Sequence, residues 1–331
     1  MAAADFGARY RAPAWLPGGD LQTIWAATRA RHHRGAPPRF ARERWDTPDG
    51  DFIDVDHLES AADDAGARHL VLFHGLEGSS TSPYAQAFAC VARERGWRYS
   101  VPHFRGCSGI MNRAPRAYHS GDHVEIDWIL RRLRERSARP LQVVGISLGG
   151  NALLRWAEEQ GDAAAGVAAA IAAVSAPLDL TAAGMALDRG ANRLIYARMF
   201  LATMKPRALA KLERFPGLFD GERVRAATTL RAFDDAFTAP VHGYRDAADY
   251  WARASAGPQL ARLRLPTLLL NARNDPFVPA ASLPGPAAVN GHVTLWQPAQ
   301  GGHVGFPRGA APPGDVFAMP AAVAGWLAAQ G

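Results

Sequence analysis

L-Q-V-V-G-I-S-L-G, residues 141–149, is the stretch that decides the fold. It opens with a largely apolar run typical of a buried strand, and apolar side chains recur at helical spacing soon after Gly150. Ser147 therefore stands between a strand and a helix, with a glycine two positions away on either side. Because glycine lets two backbone segments approach closely, the pattern predicts a sharp turn that leaves the serine hydroxyl accessible.

The strand, serine and helix together resemble the nucleophile elbow of α/β-hydrolases. The backbone N–H of Leu148, first in the predicted helix, would then face the oxyanion that forms during acyl transfer, and the positive end of the helix dipole strengthens the field there. Upstream, the apolar run 69–73 leads into H-G-L-E-G at 74–78, which resembles the H-G turn after the third strand of that fold. This resemblance assigns the second oxyanion donor to the N–H of Leu76.

Composition and charge narrow the class of protein. The 331 residues are 48% hydrophobic and 21% charged, which is ordinary for a globular chain. The net charge is +6, but Lys205 and Lys211 are the only lysines. A strong arginine bias beside so much alanine and glycine indicates the codon usage of a GC-rich genome, so no nucleic-acid partner is expected.

The cysteines and the N-terminus indicate the compartment. Cys90 and Cys107 form neither a CxxC pair nor a disulfide framework, which fits a reducing environment. Residues 1–11 lack the apolar core of a signal peptide, and the longest apolar stretch, 163–177, falls short of the roughly 20 residues that a membrane span needs. We expect a cytoplasmic protein with no integral membrane segment. The oligomeric state has no signature in the sequence.

Short apolar runs alternate with amphipathic helical patterns along most of the chain, which predicts a mostly parallel sheet flanked by helices. Between residues 177 and 266 only helical spacing remains. We expect an N-terminal extension at 1–40 that packs on the core, an α/β core at 41–180 and 260–331, and a helical cap at 181–259, inserted before the last two strands. The predicted strands are 52–58, 69–73, 98–103, 141–145, 168–175, 267–271 and 293–297.

A serine nucleophile needs a histidine to take its proton and a carboxylate to orient that histidine. In this fold the three follow the chain order serine, acid, histidine. Asp275 lies in a polar loop just after the predicted strand 267–271, and His303 follows a glycine pair just after the strand 293–297. We therefore predict Ser147 as nucleophile, His303 as base and Asp275 as the orienting acid.

Other residues compete for these roles. Asp179 follows the preceding strand and is an alternative acid, while His292 and His242 are weaker candidates for the base because they lie at the start of a strand and in the predicted cap. His74 suits structural hydrogen bonding in its turn. The candidate pocket residues are His74, Gly75, Glu77, Tyr118 and His119.

No metal site and no cofactor are expected. His32 and His33 are adjacent, so their side chains cannot converge on one ion from one helix face, and no HExxH spacing occurs. The glycines at 145–150 match neither phosphate-binding pattern, GxGxxG or GxxxxGK[ST].

Several segments together resemble the YheT-like branch of the α/β-hydrolases, also called the AB hydrolase 4 family, over about residues 13 to 306. Agreement across many segments is far more specific than the serine motif alone. The matching segments are P-G-G-D-L-Q-T at 17–23, H-G-L-E-G-S at 74–79, F-R-G-C-S-G at 104–109, R-A-Y-H-S-G at 116–121, G-I-S-L-G-G-N at 145–151, S-A-P-L-D-L at 175–180 and F-D-D-A-F-T-A-P at 233–240.

The resemblance implies the α/β-hydrolase fold and a serine hydrolase with the triad already chosen. It further implies cleavage of small-molecule carboxylic esters through an acyl-enzyme, with short- to medium-chain acyl esters as substrates and acylglycerols among them. An acyltransferase or a thioesterase would use the same acyl-enzyme. A catalytically silent binding module is the alternative from another class.

Overall fold

The computed structural model describes residues 6–59 and 66–330. Residues 1–5 of the expected N-terminal extension, and residues 60–65 and 331 of the expected core, lie outside the described residues.

Eight strands form one sheet in the order β1-β2-β4-β3-β5-β6-β7-β8. The pairs β1/β2 and β2/β4 are antiparallel, and all other neighbours are parallel. The predicted mostly parallel sheet is therefore confirmed. The strands are β1 Phe40–Asp46, β2 Phe52–Leu58, β3 His69–Phe73, β4 Arg98–Pro102, β5 Leu141–Ile146, β6 Ala168–Val174, β7 Thr267–Leu270 and β8 Val293–Trp296.

Strand β1 is the one that the sequence did not predict. It is an edge strand with a mostly exposed, charge-rich sequence, F-A-R-E-R-W-D, and so lacks the apolar run that marks the others. Its arginines cross to the neighbouring strand: the Nε of Arg42 lies 2.7 Å from Asp56, and that of Arg44 lies 2.7 Å from Asp54. Cross-strand ion pairs and the single buried Trp45 therefore fix this edge without an apolar run.

Helices cover both faces of the sheet. Alternate residues of β3 point to opposite faces, so Leu70 and Leu72 enter one apolar cluster while Val71 and Phe73 enter the other. The helices are α1 Phe6–Arg9, α2 Gly19–Thr28, α3 Pro83–Glu94, α4 His123–Glu135, α5 Leu148–Gln160, α6 Leu180–Leu187, α7 Gly190–Asn192, α8 Arg198–Arg214, α9 Gly221–Ala226, α10 Leu230–Phe233, α11 Ala239–His242, α12 Ala247–Ala254 and α13 Ala318–Ala328.

The regular elements between β6 and β7 are all helical, as the sequence predicted. Two π-helical turns, Arg193–Ala197 and Asp234–Thr238, interrupt this helical segment. The first joins α7 to α8, and the second joins α10 to α11. Across residues 6–59 and 66–330, no helix combines the length and hydropathy of a membrane span.

Candidate active site

Ser147 occupies the turn between β5 and α5 with φ of +52° and ψ of −118°, a backbone conformation that side-chain-bearing residues rarely adopt. Glycine is required at positions 145 and 149 because a Cβ at either one would clash with backbone atoms. A Cβ on Gly145 would lie 2.5 Å from the carbonyl oxygen of Gly149, and a Cβ on Gly149 would lie 2.5 Å from that of His74. The turn is therefore fixed by backbone contact, which leaves the serine side chain free to project into the site.

Ser147, His303 and Asp275 lie in one hydrogen-bonded row. The Nε2 of His303 is 2.9 Å from the Oγ of Ser147, and its Nδ1 is 2.9 Å from the Oδ2 of Asp275. The Asp275 side chain is fully buried, and its Oδ1 accepts the N–H groups of Phe277 and Val278 at 2.8 and 3.2 Å. A carboxylate held in this way keeps the proton on Nδ1, so Nε2 is free to accept the serine proton.

Packing fixes the plane of the His303 ring. The ring stacks on Phe277, with centroids 4.1 Å apart and planes 30° apart. The following residue, Val304, has φ of +59°, and its N–H donates to the Oγ of Ser175 at 3.0 Å. The imidazole is therefore held by an aromatic neighbour on one face and by the backbone of its own loop.

Helix α2, from the N-terminal part of the chain, joins the acid loop to the histidine loop. The Oε1 of Gln22 accepts both the side-chain amide of Asn274 and the N–H of Gly301, each at 2.9 Å. The Oγ1 of Thr23 accepts the N–H of His303 at 2.8 Å, and the Oδ1 of Asn274 accepts the N–H of Gly302 at 3.0 Å. We call Gln22, Thr23 and Asn274 the loop clamp; sequence reasoning noted the 17–23 motif but did not predict this role.

The two predicted oxyanion donors border the serine together. The N–H groups of Leu76 and Leu148 have no hydrogen-bond acceptor within residues 6–59 and 66–330, and both residues line the pocket that holds Ser147. The loop at Leu76 is tightly held, since Glu77 has φ of +58° and its N–H donates to the hydroxyl of Tyr118 at 3.1 Å. Two uncommitted N–H groups beside a serine are suited to binding a negatively charged oxygen.

His74 follows β3 directly and does not line the two cavities that contain Ser147. It is fully buried; its Nε2 accepts the N–H of Phe104 at 3.1 Å, so its Nδ1 carries the proton and donates to the carbonyl oxygen of Gly75 at 2.8 Å. Burial lowers the pKa of His74 to about 3, which keeps the ring neutral. The structure therefore gives His74 a structural position and not a pocket position.

Three cavities meet near the serine. A serine pocket of about 120 Å³ holds Ser147 and His303 beneath the helical segment. An inner cavity of about 390 Å³ shares Leu76 and Leu148 with it, and an outer chamber of about 420 Å³ reaches Ser147 from the side of α2. Of the predicted pocket residues, Gly75 and Glu77 line the outer chamber, and Glu77, Tyr118 and His119 line the inner cavity.

Asp234 is a carboxylate in this pocket that the sequence analysis did not single out. It lines both the serine pocket and the inner cavity. Its Oδ1 accepts the hydroxyl of Thr238 at 2.6 Å, and its Oδ2 accepts the indole N–H of Trp251 at 2.8 Å. Burial raises the pKa of Asp234 to about 6, so its charge changes within the physiological range of pH.

The rival residues lie elsewhere. The side chain of Asp179 accepts the N–H of Ala182 at 2.9 Å and caps helix α6. The ring of His242 packs 4.4 Å from that of His119, and burial lowers the pKa of His242 to about 3. His292 is exposed at the start of β8. The structure brings none of the three to Ser147.

The fold and the site together define a class. A family model described as the alpha/beta hydrolase fold matches residues 68–310, which is most of the chain. A thermophilic esterase from Thermogutta terrifontis has a similar structure, with a TM-score of 0.50 and 16% sequence identity over 88% of this chain and 99% of that one. The chain is an α/β-hydrolase.

Curated relatives narrow the class further. The candidate esterase YheT of Escherichia coli (strain K12) is 42% identical over 267 residues, which cover 80% of this chain and 78% of that protein. Phospholipase ABHD3 of Mus musculus is 29% identical over 82% of this chain and 68% of its own length. The chain therefore belongs to the YheT-like α/β-hydrolases.

Proposed function

We propose that this protein is a serine hydrolase that cleaves carboxylic esters through an acyl-enzyme. The observation that carries the proposal is the row of 2.9 Å contacts from Ser147 through His303 to Asp275, beside two N–H groups with no acceptor in the described part of the chain. The esterase-like names of the relatives agree with it. Short- to medium-chain acyl esters, acylglycerols included, fit the largely apolar cavities around the serine.

In the proposed reaction His303 takes the proton of Ser147 through Nε2 while the serine oxygen attacks the ester carbonyl. Asp275 holds Nδ1–H and stabilises the imidazolium that forms. The N–H groups of Leu76 and Leu148 bind the oxyanion of the tetrahedral intermediate, and each such donor is typically worth about 3 kcal/mol. His303 then gives this proton to the leaving alcohol. In the second half of the reaction His303 takes a proton from the attacking water and returns it to the Oγ of Ser147, which releases the carboxylic acid.

We also propose that the protein is located in the cytoplasm. Cys90 and Cys107 are both free thiols, which is typical of proteins from a reducing compartment. Burial raises the pKa of Cys107 to about 12, so this thiol is also a poor nucleophile and does not compete with Ser147.

The test is hydrolysis of a p-nitrophenyl ester series from acetate to palmitate by the wild type and by Ser147→Ala. We expect turnover that peaks at one chain length and is lost in the variant by at least a thousandfold. A fluorophosphonate probe should label the wild type at Ser147 alone. Normal rates in Ser147→Ala would overturn the proposal. Labelling without any ester hydrolysis would favour transfer of the acyl group to an acceptor other than water.

A further inference from the structure

Exposed apolar side chains are concentrated beside the outer chamber. Helix α2 presents Leu21 and Ile24, and the start of the α8 region presents Leu194, Ile195 and Met199. Leu194 is 73% exposed, so most of this large apolar side chain is in contact with water. We call these five residues the mouth patch.

The mouth patch is one surface that belongs to the entrance of the site. The hydroxyl of Tyr196 donates to the Oδ1 of Asp20 at 2.8 Å, which joins α2 directly to the turn before α8. Ile24, Ile195 and Met199 line the outer chamber, whose walls also include Ser147 and His303. Apolar surface therefore surrounds the path from solvent to the serine.

A groove with basic walls adjoins the mouth patch on the other side of α8. It has a volume of about 710 Å³, and Leu194 lines it. Three of its cations have no carboxylate within ion-pair distance in the described ranges 6–59 and 66–330, and the fourth, Arg225, pairs with Glu222 at 2.5 Å. The basic residues of the groove are Arg193, Arg198, Lys205 and Arg225, and its lining contains no aspartate or glutamate among the described residues.

We propose that the mouth patch and the basic groove dock this protein on a lipid surface that carries anionic headgroups. An exposed apolar patch flanked by uncompensated cations is the arrangement that binds at such an interface, because the apolar side chains enter the acyl boundary while the cations meet the headgroups. The docked protein would receive an ester through the outer chamber directly from the lipid phase. This second part rests on the proposed esterase function, whereas the docking does not.

The test measures co-sedimentation with vesicles of phosphatidylcholine alone and of phosphatidylcholine mixed equally with phosphatidylglycerol. Ser147→Ala is used as the background, so that hydrolysis cannot alter the vesicles. Leu21→Ser/Leu194→Ser weakens the mouth patch, and Arg193→Gln/Arg198→Gln weakens the groove. Neither pair touches Ser147, His303 or Asp275. The matched control is Ile110→Ser/Val124→Ser, at exposed apolar positions outside the patch.

We expect binding to the anionic vesicles that falls about tenfold or more in each of the first two variants and is unchanged in the control. Binding to phosphatidylcholine alone should be at least tenfold weaker. The docking is overturned if the parent protein fails to bind anionic vesicles or binds both vesicle types equally. It is likewise overturned if the mouth-patch variant and the groove variant bind as the control variant does. It is also overturned if the parent is a dimer that Leu21→Ser/Leu194→Ser dissociates, because the patch would then be an interface between copies.

The two proposals can fail separately. Hydrolysis of p-nitrophenyl acetate in the absence of vesicles, with Ser147 restored, reports on the catalytic site, and thermal unfolding of each variant reports on the fold. Serine-dependent hydrolysis without vesicle binding would remove the docking alone. Vesicle binding without serine-dependent hydrolysis would remove the proposed esterase function and leave the docking in place.

Discussion

The two sides of the serine pocket are held in place by different kinds of contact. On the sheet side, backbone contacts at Gly145 and Gly149 leave no room for a Cβ, and short loops after β7 and β8 carry Asp275 and His303. On the helical side, between β6 and β7, short helices and two π-helical turns pack through side chains around Asp234. The comparison teaches that the proposed chemistry depends on a part where backbone contacts exclude added side chains, while the shape of the pocket depends on side-chain packing, which tolerates substitution better.

The largest effect is expected on the sheet side, from Asp275→Asn. The amide cannot hold Nδ1–H, so the wrong tautomer of His303 faces Ser147, and kcat should fall about 10⁴-fold. Asp179→Asn is the matched control; it removes a negative charge but keeps the oxygen that caps α6, and it should change kcat by less than twofold. The kcat of both variants is measured on p-nitrophenyl butyrate. A larger loss of kcat in Asp179→Asn than in Asp275→Asn would mean that the acid has been assigned to the wrong residue.

A smaller effect is expected from the loop clamp. Thr23→Val removes the acceptor for the N–H of His303 with little change in shape, so kcat should fall roughly tenfold while KM stays within twofold. Thr23→Ser restores the oxygen and should restore kcat. Thr203→Val, which removes an exposed hydroxyl bonded to its own helix, is the control. An equal loss in Thr23→Ser would show that packing, and not the hydrogen bond, is what matters.

The smallest effect is expected on the helical side, from Asp234→Asn. As the pH rises through about 6, Asp234 loses its proton and places a charge in the wall of the serine pocket and the inner cavity, which disfavours long apolar acyl chains there. The ratio of kcat/KM for octanoate to that for acetate should therefore fall severalfold between pH 5 and 8 in the wild type and stay constant in the variant. Because both esters would be cleaved by the same residues, effects of pH on the shared chemical steps cancel in the ratio. A ratio independent of pH in the wild type would contradict the prediction.

Most of the sheet side of the pocket could be predicted from the sequence. Seven of the eight strands carry apolar runs, and the glycines around Ser147 have a local steric cause that any such turn shares. Strand β1 escaped because an edge strand stabilised by ion pairs has no apolar signature. The predicted positions of Asp275 and His303 followed from chain order after two recognisable strands.

The position of Asp234 on the helical side and the contacts of the loop clamp could not be predicted from the sequence, for a different reason. The clamp joins Thr23 to His303 across 280 residues, and no local pattern encodes such a contact. Asp234 was noted only as part of the motif at 233–240; its position in the pocket follows from the π-helical turn and from its hydrogen bond with Trp251. His74 shows the reverse case: it was a candidate for the pocket, yet the peptide N–H of Phe104 holds it in the core.

The loop clamp also sets the order in which this protein can become competent during synthesis. Gln22 leaves the ribosome 279 residues before Gly301, and Thr23 leaves it 280 residues before His303. Domains generally fold as they emerge, so the sheet up to β6 can assemble well before the histidine loop exists. A nascent chain that has folded most of its core therefore still lacks His303, the proposed base, and activity should appear only after β8 and the loop that follows it have closed onto α2.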